Sequence, residues 1–403
     1  MSNEIKNKVV PKLRFPEFSD SGEWKGETLE KISPAIFDGT HQTPKYIEQG
    51  IPFFSVENIV SGNKNKFISR EDYLIATSKN KPEKGDILIT RIGNIGFSKI
   101  VDWDYEFSIY VTLAVIKQSE KFDSHYLHSF FQSDYYQNEL RSKSLLNAVP
   151  CKINMDELRK TKVLLPPDKE KKEQQKIADC LSSLDELITA QSQKLQALKT
   201  HKKGLMQQLF PAEGETVPKL RFAEFKDSRE WEEKIIGEIS KVTTGNKDTQ
   251  NKVDDGLYPF FVRSQTVERI NSYSYDGEAI LTSGDGVGVG KNFHYINGKF
   301  DYHQRVYCIY SFNKNICGQF VYLYFSEHFN KRVMKMSAKN SVDSVRMAMI
   351  TEMPIFLPSL EEQQKIADCL SSLDEQISAQ TEKIEALKTH KKGLMQALFP
   401  SEL

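Results

Sequence analysis

The chain has 403 residues, with 55 lysines and arginines against 55 aspartates and glutamates. That length accommodates two or three domains with cores of their own, and the balanced charge argues against a basic protein that simply coats a polyanion, while leaving room for a reader whose cations gather on one face. Five cysteines with neither CxxC nor Cys/His zinc spacing, no signal-peptide pattern and no apolar run near the ~18 residues of a membrane span give the expectation of a cytoplasmic protein with no membrane partner.

Near the start, Pro11–Phe18 reads PKLRFPEF. The stretch from about 24 to 165 alternates short β-rich runs (Ile51–Val56, Asp86–Thr90, Val111–Ile116) with Gly, Asn and Asp turns, and closes on an aromatic helical segment, His125–Arg141. Residues 1–167 are therefore expected to form a mixed α/β domain. Residues 168–211 are expected to form one long helix. Ile177, Leu181, Leu184, Ile188, Gln191, Leu195, Leu198, Lys202, Leu205 and Leu209 follow at alternating steps of four and three, which is the 3.5-residue period of a coiled-coil seam. Pro166-Pro167-Asp168 offers a start and cap, and Phe210-Pro211 a stop.

The pattern then repeats. PKLRFAEF begins at Pro218, and a second insert, about 231–357, carries β-rich runs at Tyr258–Val262, Ala279–Thr282 and Arg305–Tyr310 before an aromatic helical segment, Gln319–Lys335. A second mixed α/β domain is expected over 212–358. A second long helix follows over 359–403, with its seam at Ile366, Leu370, Leu373, Ile377, Gln380, Ile384, Leu387, Lys391, Leu394 and Leu398. Ser359-x-x-Glu362 reads as a capping box, and Phe399-Pro400 as a stop.

Glu173–Pro211 and Glu362–Pro400 are identical at 32 of 39 positions, whereas the inserts match only weakly, in PFFSVENI against PFFVRSQTV and GDILITRIGNIG against GEAILTSGDGVGVG. Two such seams in one chain meet at high effective concentration. Each helix end leads into the next repeat's start, so antiparallel pairing is the arrangement that closes. The expected fold class is α+β: two mixed α/β domains separated by a long antiparallel two-helix coiled coil, with pseudo-two-fold symmetry. A helix of some 40 residues runs about 60 Å, which would put the two heads at opposite ends of a rod.

No catalytic constellation and no metal site are expected. The glycine-rich segment Gly284–Asn292 fails as a phosphate loop, because Asp285 stands where glycine is needed and Asn292 replaces the Ser/Thr. It reads instead as a turn where backbone can approach a ligand such as a nucleic-acid backbone. Pro166-Pro167-Asp168 lacks the context of an amino-methyltransferase motif, and GxSxG and HExxH do not occur. Groups suited to DNA are present, since arginine can grip guanine, Asn or Gln can grip adenine, and lysine anchors phosphate. The candidates are Lys64, Lys66, Arg91 and Asn94 in the first insert, and Arg263, Gln265, Lys291, Gln304 and Arg305 in the second.

The segment LPPDKEKKEQQKIADCLSSLDELI…KLQALKTHKKGLMQQLF, with its second copy, resembles the specificity (S) subunit of Type I restriction-modification enzymes, and the resemblance extends over the whole chain. It implies a non-catalytic subunit whose two target-recognition domains each read one half of a bipartite double-stranded DNA site. It also implies two modification subunits, which carry S-adenosylmethionine and methylate adenine N6, and two restriction subunits of endonuclease and translocase type. No cofactor is expected on this chain, with S-adenosylmethionine, ATP and Mg falling to those partners. One departure is about three extra residues at the first helix entrance (Asp168–Lys172). The alternative reading is a bivalent adaptor for protein or glycan, which would retain no DNA selectively in the presence of the modification subunit.

Overall fold

The computed structural model describes residues 9–167, 169–212, 214–336 and 344–401. The chain forms two compact units: residues up to Ser192 together with those from Glu382 on, and residues Gln193–Thr381. Each unit contains one head and a stretch of both long helices, Lys172–Leu209 and Leu360–Leu398. Asp168, expected as the first helix's cap, lies outside the described residues.

In the first unit's head, a four-stranded antiparallel sheet has the order Ile36–Asp38, Leu113–Ile116, Ile87–Thr90, Ser98–Ile100. A second sheet places Ile51–Phe54 between Phe67–Ile68, antiparallel, and Ser108–Ile109, parallel. In the second head the corresponding strands join one six-stranded sheet, Lys241–Thr244, Val306–Tyr310, Tyr275–Ser283, Phe293–Tyr302, Tyr258–Phe261, Val267–Ile270, beside a two-stranded antiparallel pair, Glu232–Ile235 with Pro354–Leu357. The weak sequence matches coincide with matching strands. Phe53 and Phe54 pair in parallel with Ser108 and Ile109, as Phe260 and Phe261 do with Asp301 and Tyr302. The sheets differ because Phe293–Tyr302 is continuous, whereas its counterpart is interrupted between Ile100 and Ser108. Gly245 shows how tightly the shared framework packs: a Cβ there would stand 2.1 Å from the Tyr302 carbonyl oxygen, and at Gly39 2.1 Å from that of Ile109. Gly245→Ala is expected to destabilise the second head by more than the ~1 kcal/mol of an ordinary glycine substitution, because backbone has to move; its urea midpoint, measured by circular dichroism, checks this.

Three local expectations are revised. Ile51–Val56 is strand only to Phe54, since Ser55 opens a short helix, Val56–Ser61, through reciprocal bonds with Asn58. His125–Arg141 is two helices, Ser124–Phe131 and Asp134–Ser142, because the Ser133 hydroxyl accepts from the Tyr136 N–H and starts a new helix. Its counterpart Gly318–Met336 is one helix. At the second long helix, Ser359 accepts from the Glu362 N–H at 3.3 Å, but the Glu362 carboxylate is taken by Arg221, so only half of the expected capping box forms.

Every seam position of both long helices is buried or half-buried. Ile177, Leu181, Ile366, Leu370, Leu373 and Ile384 are buried, while Leu184, Ile188, Leu195, Leu198, Leu205, Ile377, Leu387 and Leu394 are half-buried. The helices run antiparallel within each unit. In the first, Ile177, Ala178 and Leu181 share a core with Leu398 and Phe399; in the second, Met206, Leu209 and Phe210 share one with Ile366, Ala367 and Leu370. The seam lysines meet aspartates on the facing helix: Lys391 holds both oxygens of Asp185 at 2.7 Å, and Lys202 both oxygens of Asp374 at 2.6 Å.

The echo PKLRF makes a clasp. Arg14 donates Nε and Nη2 to the two oxygens of Glu173 at 2.7 and 2.8 Å, while the neighbouring Leu13 N–H donates to Ala397 at the end of the other helix. Arg221 grips Glu362 in the same two-pronged way at 2.7 Å, and the Leu220 N–H donates to Gln208. The next residue joins helix to head: Gln174 accepts from the Asp123 N–H, and Gln363 from the Cys317 N–H. Phe399 packs among Trp24, Tyr126 and Phe130, as Phe210 packs against Trp231, Phe320 and Tyr324.

His128 sits where the first head meets both helices. Burial, then the Lys391 charge, pushes it down to about 4 against partial relief from Asp185, with His125 also lowering it. Its Nε2 accepts from the Gln132 amide, leaving Nδ1–H for the Ser98 hydroxyl. An unfolded chain protonates this histidine near 6.5 and the folded one only near 4, so its contribution is complete above about pH 6.5 and lost as pH falls to about 4. A loss of at most about 3 kcal/mol over that window is expected, checked by urea unfolding of wild type and His128→Gln at several pH values.

Candidate nucleic-acid interface

The strand ends of each head are built on the same backbone bonds and carry different side chains. Directly after strand Ile87–Thr90, the Arg91 N–H donates to Thr112 at 3.0 Å, and the Ile153 N–H donates back to Arg91. Directly after strand Tyr275–Ser283, the Gly284 N–H donates to Arg305 at 2.8 Å, and the Val345 N–H donates back to Gly284.

In the first head the candidates are dispersed. The Arg91 side chain is only 8% exposed and donates to Asp38 at 3.2 Å and to the Val111 carbonyl at 2.8 Å. Burial draws its pKa down and Asp38 partly restores it, yet guanidinium stays charged at any working pH. Its geometry is that of an internal brace for the tip. Asn94 is exposed, and its carbonyl receives the Thr90 hydroxyl. Lys66 is half-buried and bonded to Glu57 at 2.9 Å. Lys64 is exposed with its ammonium 4.2 Å from the Tyr105 ring centre. Tyr105 stacks on Trp103, and these rings with Lys64, Lys99, Phe54 and Asn58 line a cavity of about 190 Å³. Of that set only Lys64 is among the candidates that the sequence suggests.

In the second head the candidates converge. Arg263 follows strand Tyr258–Phe261, Arg305 precedes strand Val306–Tyr310, and both reach Asp285 in the glycine-rich turn, at 2.9 and 2.7 Å. Burial by itself would raise the Asp285 pKa, but hydrogen bonds and charge from the two arginines outweigh it and hold the carboxyl below its usual range. Gln265 donates to the Lys291 carbonyl at 3.0 Å, and Gln304 to Asp248 at 3.1 Å. All five candidate side chains here are exposed. His303 accepts the Arg305 N–H on Nδ1; burial first, then Arg263, lowers its pKa, leaving it neutral at pH 7. Asn292 bonds the Arg263 carbonyl at 2.8 Å and fixes the exit of the turn. The glycines serve this geometry, with Gly286 and Gly290 at φ +76 and +64.

Asp285 and Asp38 were missed as partners. Asp285 gives only a weak signal, since aspartate is at home in a glycine-rich turn whether or not arginines meet it. Asp38 gave none, lying 53 residues from Arg91. Among the described residues, no group of three or more His, Cys, Asp or Glu side chains is placed to hold a metal, and no helix is long and apolar enough to cross a membrane.

The family model described as Type I restriction modification DNA specificity domain matches twice, over residues 29–200 and 228–389. The Type I restriction enzyme EcoDI specificity subunit of Escherichia coli is 31% identical over 171 residues, covering 42% of this chain and 37% of that protein. The MjaVIII specificity subunit of Methanocaldococcus jannaschii is 25% identical over 392 residues, covering 89% and 87%. The fold is shared with the Type I restriction-modification S subunit from M. genitalium, at TM-score 0.68, 16% identity, 98% of this chain and 100% of that one. It is shared too with a chain from a structure concerning complex assembly and conformational transition of the type I R-M system, at TM-score 0.55, 15% identity, 94% of this chain and 98% of that one. Two matches of one family model, placed on two heads built to one plan, settle the assignment: the chain belongs to the Type I restriction-modification DNA specificity family.

Proposed function

We propose that this chain is the non-catalytic reader of its complex. Each head reads one half of a bipartite double-stranded DNA site, and the paired helices set the gap and dock two modification subunits that methylate adenine N6. Restriction subunits join that assembly, and S-adenosylmethionine, ATP and Mg belong to the partners. The observation that carries this reading is the duplication. Two heads with one framework carry different tips, and each is tied to a helix pair by the same residues, Arg14–Glu173 with Gln174 and Arg221–Glu362 with Gln363. Such a design conserves attachment while varying the surface that meets a ligand, as reading two unlike half-sites requires.

Transplanting residues 24–165 from a relative is expected to change one half-site and leave the other, together with the gap, as before. Methylation-aware sequencing of cells that also express the modification subunit measures this. Simultaneous change of both half-sites, or methylation without sequence preference, would count against the proposal.

A further inference from the structure

We propose that Asp285 is a specificity-determining positioning residue, which holds Arg263 and Arg305 as a two-pronged reader of guanine in the half-site taken by the second head. This rests on the reading above and goes beyond it by naming the residue, the base and the half-site.

Three strand ends meet at this carboxylate, and each guanidinium gives it a single nitrogen, Nη1. The Nε–Nη2 edge of each has no other partner among the described residues. That edge presents two parallel donors, the pattern that fits guanine O6 and N7 in the major groove. An arginine free to rotate would lose much of its selectivity to entropy, whereas one pinned on its far side is already oriented. Burial sorts the three groups by role: the Asp285 side chain is 16% exposed, those of Arg263 and Arg305 48% and 62%. The aspartate is held inside and the two prongs face out. The backbone around the three is held as well, by the Gly284 N–H on the Arg305 carbonyl and by the Asn292 amide on the Arg263 carbonyl. Two donors sharing one carboxylate stand close enough to address base pairs one or two steps apart. Among the described residues Arg91, at the tip of the first head, forms no such fork, being committed to Asp38 and Val111.

The test uses the full chain in complex with its modification subunit, on duplexes carrying the methylated site found by sequencing. The residue 24–165 transplant identifies which half-site belongs to the second head. In that half-site, replacing guanine by 7-deazaguanine, which removes the N7 acceptor, is expected to weaken wild-type binding about 10-fold or more. Asp285→Asn and Arg263→Lys should each reduce the preference for G·C there by a similar factor, Asp285→Glu should recover part of it, and first-half-site discrimination should stay unchanged, while an unchanged urea midpoint by circular dichroism reports that the second head is folded. A second half-site without guanine, an Asp285→Asn variant that weakens all sequences equally, or indifference to 7-deazaguanine would each overturn the proposal while leaving the two-reader function standing. A wild-type complex with no sequence preference at all would sink both.

Discussion

Arg14→Ala is expected to destabilise the first unit, and Arg221→Ala the second, by about 3–5 kcal/mol each. In both clasps the glutamate side chain is only 1% exposed and the arginine no more than 10%. Removing the guanidinium therefore strips a buried carboxylate of its two-pronged partner. The same arginines also donate Nη1 to turn carbonyls, Gly22 and Ser228, so the chain leading into each head loosens as well. Replacing both partners by apolar residues, Arg14→Met with Glu173→Leu, should restore most of the loss, because the penalty comes from burying a carboxylate without its guanidinium rather than from the pair's own attraction. Urea unfolding followed by hydrogen exchange, which reports each unit separately, measures both effects. A loss below about 1 kcal/mol for Arg14→Ala would put the clasp among ordinary surface ion pairs.

What the sequence made legible followed from periodicity and repetition. The seam can be written from a step of four and three, and each of its positions proved buried or half-buried; the helices end at Leu209 and Leu398, directly before Phe-Pro. The weak matches at Pro52 and Pro259 did mark equivalent strands. What stayed hidden depends on contacts across long separations. Arg14 and Glu173 lie 159 residues apart, and neither residue's neighbours say that it is buried. Arg91 looked like a reader because it follows a strand, but only Asp38 and Val111, brought in by folding, turn it inward. Loop chemistry points to Arg263 and Arg305 one at a time, and in sequence the acid that joins them reads only as a departure from a phosphate loop. The split of His125–Arg141 was written locally in Ser133-Asp134, where a cap competes with an unbroken aromatic run.

The second large effect concerns length. A seven-residue insertion made in both helices, after Gln191 and after its equivalent Gln380, keeps the seam's heptad phase and adds about 10.5 Å of helix at 1.5 Å per residue. Because DNA rises about 3.4 Å per base pair, a gap set by paired helices should lengthen by about three base pairs, and sites with the original gap should lose methylation. Neither head is touched, so both half-site sequences should persist. The direct measurement is methylation-aware sequencing of cells expressing the modification subunit with the wild-type or the lengthened chain. The same two half-sites separated by about three more base pairs is the expected outcome; an unchanged gap, or altered half-sites, would contradict the account of two readers spaced by their helices.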